Sequence, residues 1–318
     1  MLLSSIGCLS DAERSNPLDP LSEDFENVGI FEGLTTRFYP PHSPVRNVEV
    51  MLLPGPYITD SDADGRFVFR NIPAGEYRVS ARKDGFVSAP DSIVLVAGGG
   101  NPDMEIRLDG LPTVTSFELR TVHIDRWWPG ELFQLEIVAM VEDPDGLSDI
   151  SLVEFAIPAF GFRDELSATG IAGRYQETIV ADSLPGGNLH ALLGKEIVLH
   201  VHDAAGFETA SDPKFLVRVI DATPVAVEPQ AQEFIDDGRP LLVWDDAALP
   251  FEYTYRIDIV LDQANVQNVV LTIADIPPDR TSHQLETPLA SGTYFWTISV
   301  VDAFGNRSRS KEAGFIVP

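Results

Sequence analysis

"TDSDADGRFVFRNIPAGEYRV", residues 59–79, sets alternating carboxylates directly before alternating aromatics, and its reading decides the fold. Asp60, Asp62 and Asp64 run ahead of Gly65, an order in which carboxylates can converge on one cation while the glycine permits a sharp bend. Phe67 and Phe69 then fall two apart, as do Tyr77, Val79 and Ala81. Successive side chains of a strand point to opposite faces, so apolar residues at period two mark one buried face of a sheet. The stretch therefore reads as a turn of Asp and Gly, a strand, a second turn at Ile72-Pro73-Ala74-Gly75, and another strand.

Working outward, the same period recurs. Val48, Val50 and Leu52 share one face, and Met104, Ile106 and Leu108 share another. Turn residues interrupt the chain every 8 to 12 positions or so, the mark of an all-β sandwich or barrel. With 24 Gly and 24 Pro, no uninterrupted amphipathic helix of ordinary length is visible. A chain of 318 residues holds two or three domains at about 100 to 150 residues each.

Charge excludes one class of partner. Lys and Arg number 22 against 49 Asp and Glu, for a net charge of -27. Phosphate backbones are bound by clustered basic residues, so nucleic acid is not expected as a partner. An acidic surface favours solubility and gathers divalent cations loosely.

Residues 29–110 resemble the carboxypeptidase regulatory-like family, a transthyretin-like β-sandwich. The resemblance rests on "NVEVMLL" (47–53), "TDSDADGRFVFRNIPAGEYRVSARKDGF" (59–86) and "IVLVAGGGNPDMEIRLDG" (93–110). It implies that the Asp-Gly turn joins two strands. The rival reading is an EF-hand, whose first, third, fifth and sixth loop positions match Asp60, Asp62, Asp64 and Gly65. An EF-hand loop ends on a bidentate Glu at position twelve and runs into a helix. Here the twelfth position is Asn71, and Phe67 and Phe69 continue at strand period. The hairpin reading, with the Asp-Gly turn joining two paired strands, is preferred, and Asp60, Asp62 and Asp64 are kept as a candidate calcium site; no other cofactor is expected.

Two further sandwiches are expected. Residues 111–222 look like an immunoglobulin-like domain of the bacterial surface type. Its strands carry Phe117 and Leu119; then Phe133, Leu135, Ile137, Ala139 and Val141 ahead of "VEDPDGLSDI"; then Val153, Phe155 and Ile157; then Ile197, Leu199 and Val201; and finally Phe215, Val217 and Val219. Residues 223–318 look like fibronectin type III, on "PLLVWDD" with Trp244, "YTYRIDIV" and "LASGTYFWTISVVDAFGNRS". "VHDAAGFETAS" aligns with "VVDAFGNRSRS", placing Asp203 over Asp302 at an offset of 99 residues (302 − 203). That spacing is one sandwich length, so the two units read as tandem sisters.

The N-terminal segment 1–28 suggests how the array is held. Cys8 is the single cysteine, which rules out an intramolecular disulfide. It follows Leu3, Ser4, Ser5, Ile6 and Gly7 and resembles the lipidated cysteine of bacterial lipoproteins. Seven residues are too few for a basic n-region and an apolar run, a shortage that a start codon assigned too late would explain; the alternative is a frayed cytosolic terminus with an incidental cysteine. The resemblance implies a diacylglyceryl anchor on Cys8, attachment to a membrane, and an extracytoplasmic place at the outer membrane or cell surface. From Ser10 to Val28 the chain is acidic, carries Pro17 and Pro20, and reads as a flexible tether. The final strand, Phe315 to Val317, is followed by no anchor, so the N-terminus is the expected attachment point.

Other constellations resemble chemical sites only in part. His283 and Glu286 form HxxE, but a zinc carboxypeptidase also needs a distant histidine and a large α/β domain, so chance explains the pair. No GxSxG elbow occurs. His200 and His202 share a strand face, which suits zinc only if a third ligand converges, and solvent-facing histidines are the simpler account. Trp127 and Trp128, in "DRWWPGE", offer a stacking platform for a sugar; on a strand one of them would be core. The glycines of "GGGNP" (98–102) open no helix and read as a loop. Paired carboxylates such as Asp236 and Asp237, or Asp245 and Asp246, form no recognisable catalytic set. The expected protein is not an enzyme. It has a structural, adhesive or protein-binding role toward an envelope protein or polysaccharide, with a carbohydrate-binding module as the alternative.

Overall fold

The computed structural model of the protein describes residues 28–88, 92–96, 99–100, 104–263 and 266–318. Among them every regular element is a β-strand or a single 3-10 turn, so the fold is all-β as the period-two pattern requires. No helix among the described residues is long and apolar enough to cross a membrane. Cys8 and the acidic segment before Val28 lie outside the described residues.

The chain divides into two compact units. The first runs to Pro112 and takes in two later excursions, Asp143–Asp149 and Asp203–Phe207. In one of its sheets Val28–Arg37 lies between Arg66–Pro73, antiparallel, and Met104–Gly110, parallel, with Phe86–Ser88 beyond. The second sheet runs Tyr57–Asp60, Glu49–Leu53, Gly75–Arg82, Ser92–Val96. Val48, Val50, Leu52, Phe67, Phe69 and Leu108 are buried in its core, on the faces their alternation assigned.

The hairpin expected at Asp60–Gly65 is not formed. The strands on its two sides do not pair with each other, because Tyr57–Asp60 and Arg66–Pro73 belong to different sheets. The chain is handed across by polar groups. The Ser61 hydroxyl accepts from the Val48 amide at 3.0 Å and donates to the Val45 carbonyl at 2.9 Å, and the Gly65 carbonyl accepts the Thr35 amide at 2.8 Å. Gly65 has φ +74°, and a Cβ there would stand 2.5 Å from the Thr35 carbonyl oxygen. Glycine is required at this crossing on both counts.

The second unit contains two hydrophobic cores, one drawn from residues between Phe117 and Leu216 and one from residues between Ile220 and Val317. A single ten-stranded sheet serves both. Its order is Ser167–Ala168, Arg174–Val180, Leu132–Glu142, Thr113–Ile124, Arg307–Arg309, Gly292–Asp302, Tyr253–Gln263, Val266–Ile276, with Ala313–Val317 and Glu233–Phe234 attached beside Gly292–Asp302. The join is a short parallel ladder, Val122 opposite Arg307 and Ile124 opposite Arg309.

One expected strand is displaced. Phe215 and Val217, assigned inward, are 46% and 57% exposed, while Leu216 is buried. Strand pairing here is limited to Lys214–Phe215, and Leu216 forms a parallel bridge to Leu193. A one-residue change of register carries every side chain to the opposite face, and so short a segment has little else to fix its register.

Candidate functional site

The first unit gathers carboxylates from three stretches of chain. Parallel pairing sets Leu108 opposite Arg37, and the Phe38 amide donates to the Leu108 carbonyl at 2.9 Å, which brings Asp109 beside Arg37 and Tyr39. The Asp143–Asp149 excursion is bent by its own first residue. Asp143 Oδ1 accepts the Asp145 amide at 2.6 Å, and the Asp143 carbonyl accepts Gly146, whose φ is +107°. Asp203 closes the third stretch by accepting the Phe207 amide at 2.7 Å, and the Ala204 amide donates to the Asp149 carbonyl at 2.7 Å.

One carboxylate oxygen from each of Asp109, Asp145 and Asp149 lies within 4.8 Å of the others. Asp145 is held on both sides, by Arg37 Nη1 at 2.7 Å and by the Gly110 amide at 2.6 Å. Gly110 permits this approach, since a Cβ there would sit 2.9 Å from Asp145 Oδ2 and 2.8 Å from Pro144 Cβ. Asp149 Oδ1 accepts the Tyr39 hydroxyl at 2.6 Å. Asp109 is 2% exposed, and apart from the neighbouring Asp203 carboxyl no donor reaches its oxygens; Asp143 Oδ2 and Asp149 Oδ2 are likewise buried without one.

The electrostatics follow from that crowding. Burial, then the charges of Asp203, Asp149 and Asp145, push the Asp109 carboxyl up to about 7. Burial also raises Asp143, against the lowering effect of the Asp145 amide. Tyr39 is raised by burial first and then by its hydrogen bond to Asp149. A buried carboxylate is stable when paired, hydrogen-bonded or bound to a metal. All the donors offered are oxygens, the set preferred by calcium or magnesium and not by zinc.

This centre was not identified from the sequence. In the sequence "DPDGLSD" looks like a turn between strands, nothing singles out Asp109, and no spacing in one dimension links 109, 145 and 149. At the candidate triplet Asp60, Asp62 and Asp64, Asp62 Oδ1 accepts the amides of Asp64 at 2.9 Å and Arg66 at 2.8 Å. That oxygen closes the turn, and the triplet is not among the described carboxylate groups whose oxygens converge.

The second unit corrects two readings. Trp127 and Trp128 stand in the loop after Thr113–Ile124, not on a strand, so neither is core: they are 72% and 84% exposed. Trp127 is pinned, its indole Nε1 donating to the Glu312 carbonyl at 3.0 Å with Lys311 Nζ 4.8 Å from the ring centre, whereas Trp128 presents its ring outward. His200 and His202 meet acidic partners that the sequence did not suggest. His200 Nδ1 bonds Glu208, His202 Nε2 lies 3.4 Å from Glu154, and the His200 contact lowers the Glu208 carboxyl. Asp246 serves a core, accepting the hydroxyls of Tyr253 at 2.6 Å and Tyr255 at 2.5 Å.

The repeated hairpin is repeated in detail. Asp302 Oδ1 accepts the Phe304 and Asn306 amides, and the Ser310 and Ser211 hydroxyls accept the Ile298 and Leu199 amides in turn. The third-core copy is joined to the second core at the parallel ladder. Asn306 Oδ1 accepts the Thr121 amide at 2.9 Å, Arg218 Nη1 donates to Asp302 Oδ2 at 2.9 Å, and the Ser308 hydroxyl lies 3.0 Å from His123 Nδ1.

Residues 39–109 match the carboxypeptidase regulatory-like domain family. Curated proteins give no match to this sequence. Among solved structures, the chain is similar to BcpA, the major pilin subunit of Bacillus cereus, at 11% identity over 88% of this chain and 91% of that one, with a TM-score of 0.29. It is similar to the FN1-FN3 domains of chicken CNTN1 at 12% identity over 92% and 99%, with a TM-score of 0.33. The fibronectin(III)-like modules of Clostridium thermocellum CbhA align at 14% identity over 65% and 94%, with a TM-score of 0.29.

Proposed function

We propose that this is a non-catalytic extracytoplasmic protein, lipid-anchored through Cys8, with a structural or adhesive role toward an envelope protein or polysaccharide. The observation that carries the reading is the sheet that runs unbroken from the second core to the third, sealed by Asn306–Thr121 and Arg218–Asp302. A chain that needs only a flexible linker between modules has no use for buried hydrogen bonds across the join. A joined pair of sandwiches suits a spacer that transmits force or fixes the presentation of a surface. The matched family supports the non-catalytic part, because its name denotes a regulatory-like domain and not the peptidase.

Expression from an upstream start, with labelled palmitate, tests the anchor. Wild type is expected in the membrane fraction with label, and Cys8→Ser is expected to be released. Soluble, unlabelled wild type overturns it. Pulling the chain by its ends tests the structural role: the two cores of the second unit are expected to resist as one, and separate low-force events for each would overturn it.

The exposure of both tryptophans favours a second reading, polysaccharide recognition at the Trp127–Trp128 loop. A glycan array is expected to give signals that Trp128→Ala removes, and signals unaffected by that change overturn the platform.

A further inference from the structure

We propose that Asp109, Asp145 and Asp149, with Asp143 beside them, form a binding site for one calcium ion. Two oxygens bound to the same calcium at about 2.4 Å stand no more than about 4.8 Å apart. The oxygens of these three residues meet that limit. Independently of the converging triplet, Asp109 is 2% exposed and the group beside its oxygens is another carboxyl, that of Asp203, so no N–H or alcohol donor reaches them. Desolvating a carboxylate without a hydrogen bond or counter-charge is unfavourable, and a divalent cation removes the penalty at its source.

The surroundings are those of a metal centre. Tyr39 and Arg37 hold one oxygen each of Asp149 and Asp145, which fixes those carboxylates as outer-shell partners fix metal ligands. Asp149 Oδ2 and Asp143 Oδ2 remain buried without donors. Asp203 adds a further negative charge beside Asp109. No histidine or cysteine belongs to the converging group, so hard cations are selected. Magnesium keeps several of its waters and demands a small octahedron, whereas a buried carboxylate cage suits the larger, more adaptable calcium. Binding would fasten the Asp143–Asp149 excursion to the strand Met104–Gly110 and make the first unit's stability dependent on calcium.

The test is calorimetric titration of calcium into the full chain after EDTA treatment, with terbium luminescence as a second readout. One saturable calcium site is expected, with a rise in melting temperature as calcium is added. Asp109→Asn is expected to weaken binding at least tenfold and to melt above wild type in EDTA, because the unsatisfied buried charge is gone. Asp62→Ser is expected to bind as wild type does. Should Asp109→Asn fail to fold, Asp143→Asn and Asp149→Asn serve, each expected to weaken binding likewise. Wild type with no saturable heat overturns the proposal. So does a site that survives these changes, or one lost only in Asp62→Ser, which would place the ion in the 60–64 turn.

Discussion

Asn306 Oδ1 accepts the backbone amide of Thr121 at 2.9 Å, joining residues 185 positions apart within one unit. Both residues are buried, and the Thr121 hydroxyl lies 3.1 Å from the same oxygen. Replacing Asn306 with Ala leaves a buried amide without an acceptor. Such a loss costs about 1 to 3 kcal/mol. Urea unfolding of Asn306→Ala is expected to show a destabilisation in that range, while Asn306→Asp, which sets a second buried carboxylate where Asn306 Nδ2 donates to Asp302 Oδ2 at 3.0 Å, is expected to lose more.

The Arg218–Asp302 pair should be more sensitive to removal of the cation than of both charges. Asp302 is fully buried at its side chain, and Arg218 also stacks its guanidinium 3.7 Å from the Phe251 ring centre. Breaking a buried pair from one side costs about 3 to 5 kcal/mol, because the other charge is stranded. Arg218→Met is expected to fall in that range. The double change to Arg218→Met with Asp302→Asn is expected to recover part of it, and a double-mutant cycle measures how much.

Two changes in the opening stretch separate turn geometry from carboxylate chemistry. Gly65→Val is expected to be severely destabilising, since φ +74° and the Thr35 carbonyl both exclude a β-branched side chain. Asp62→Ser, which alters only two exposed turn hydrogen bonds, is expected to cost about 0.5 to 1 kcal/mol. Thermal melts of the two variants side by side check the order.

Asp246 supplies a pH dependence. The Tyr253 hydroxyl, then that of Tyr255, hold its carboxyl below the usual range. A carboxylate depressed in the folded state binds protons more readily when unfolded, so its contribution is complete above the unfolded pKa, about 4, and fades as pH falls through the folded one. Asp246→Ala is therefore expected to be less stable than wild type at pH 7, with the gap narrowing at pH 3. Urea midpoints at the two pH values check it.

Much of the architecture was legible because it is local. Alternation in Val48-Val50-Leu52, in Leu135-Ile137-Ala139-Val141 and in Ile197-Leu199-Val201 fixes which face is buried, and all ten are buried. The 99-residue repeat was legible for the same reason, since its Asp and Gly close each hairpin on themselves. Phe215 and Val217 were misassigned where a two-residue strand left the register to its neighbours.

By itself, then, the sequence determined the β class, the buried faces of the longer strands, the turn glycines and the acidity, because each follows from side-chain period, from φ at one residue or from composition. Tertiary structure alone decided which strands flank each turn, that two cores share one sheet, and that Asp109 meets Asp145 and Asp149. Those outcomes depend on strand pairing between distant residues. The energy of such pairing resides in the partner, and a stretch of sequence carries only its own half.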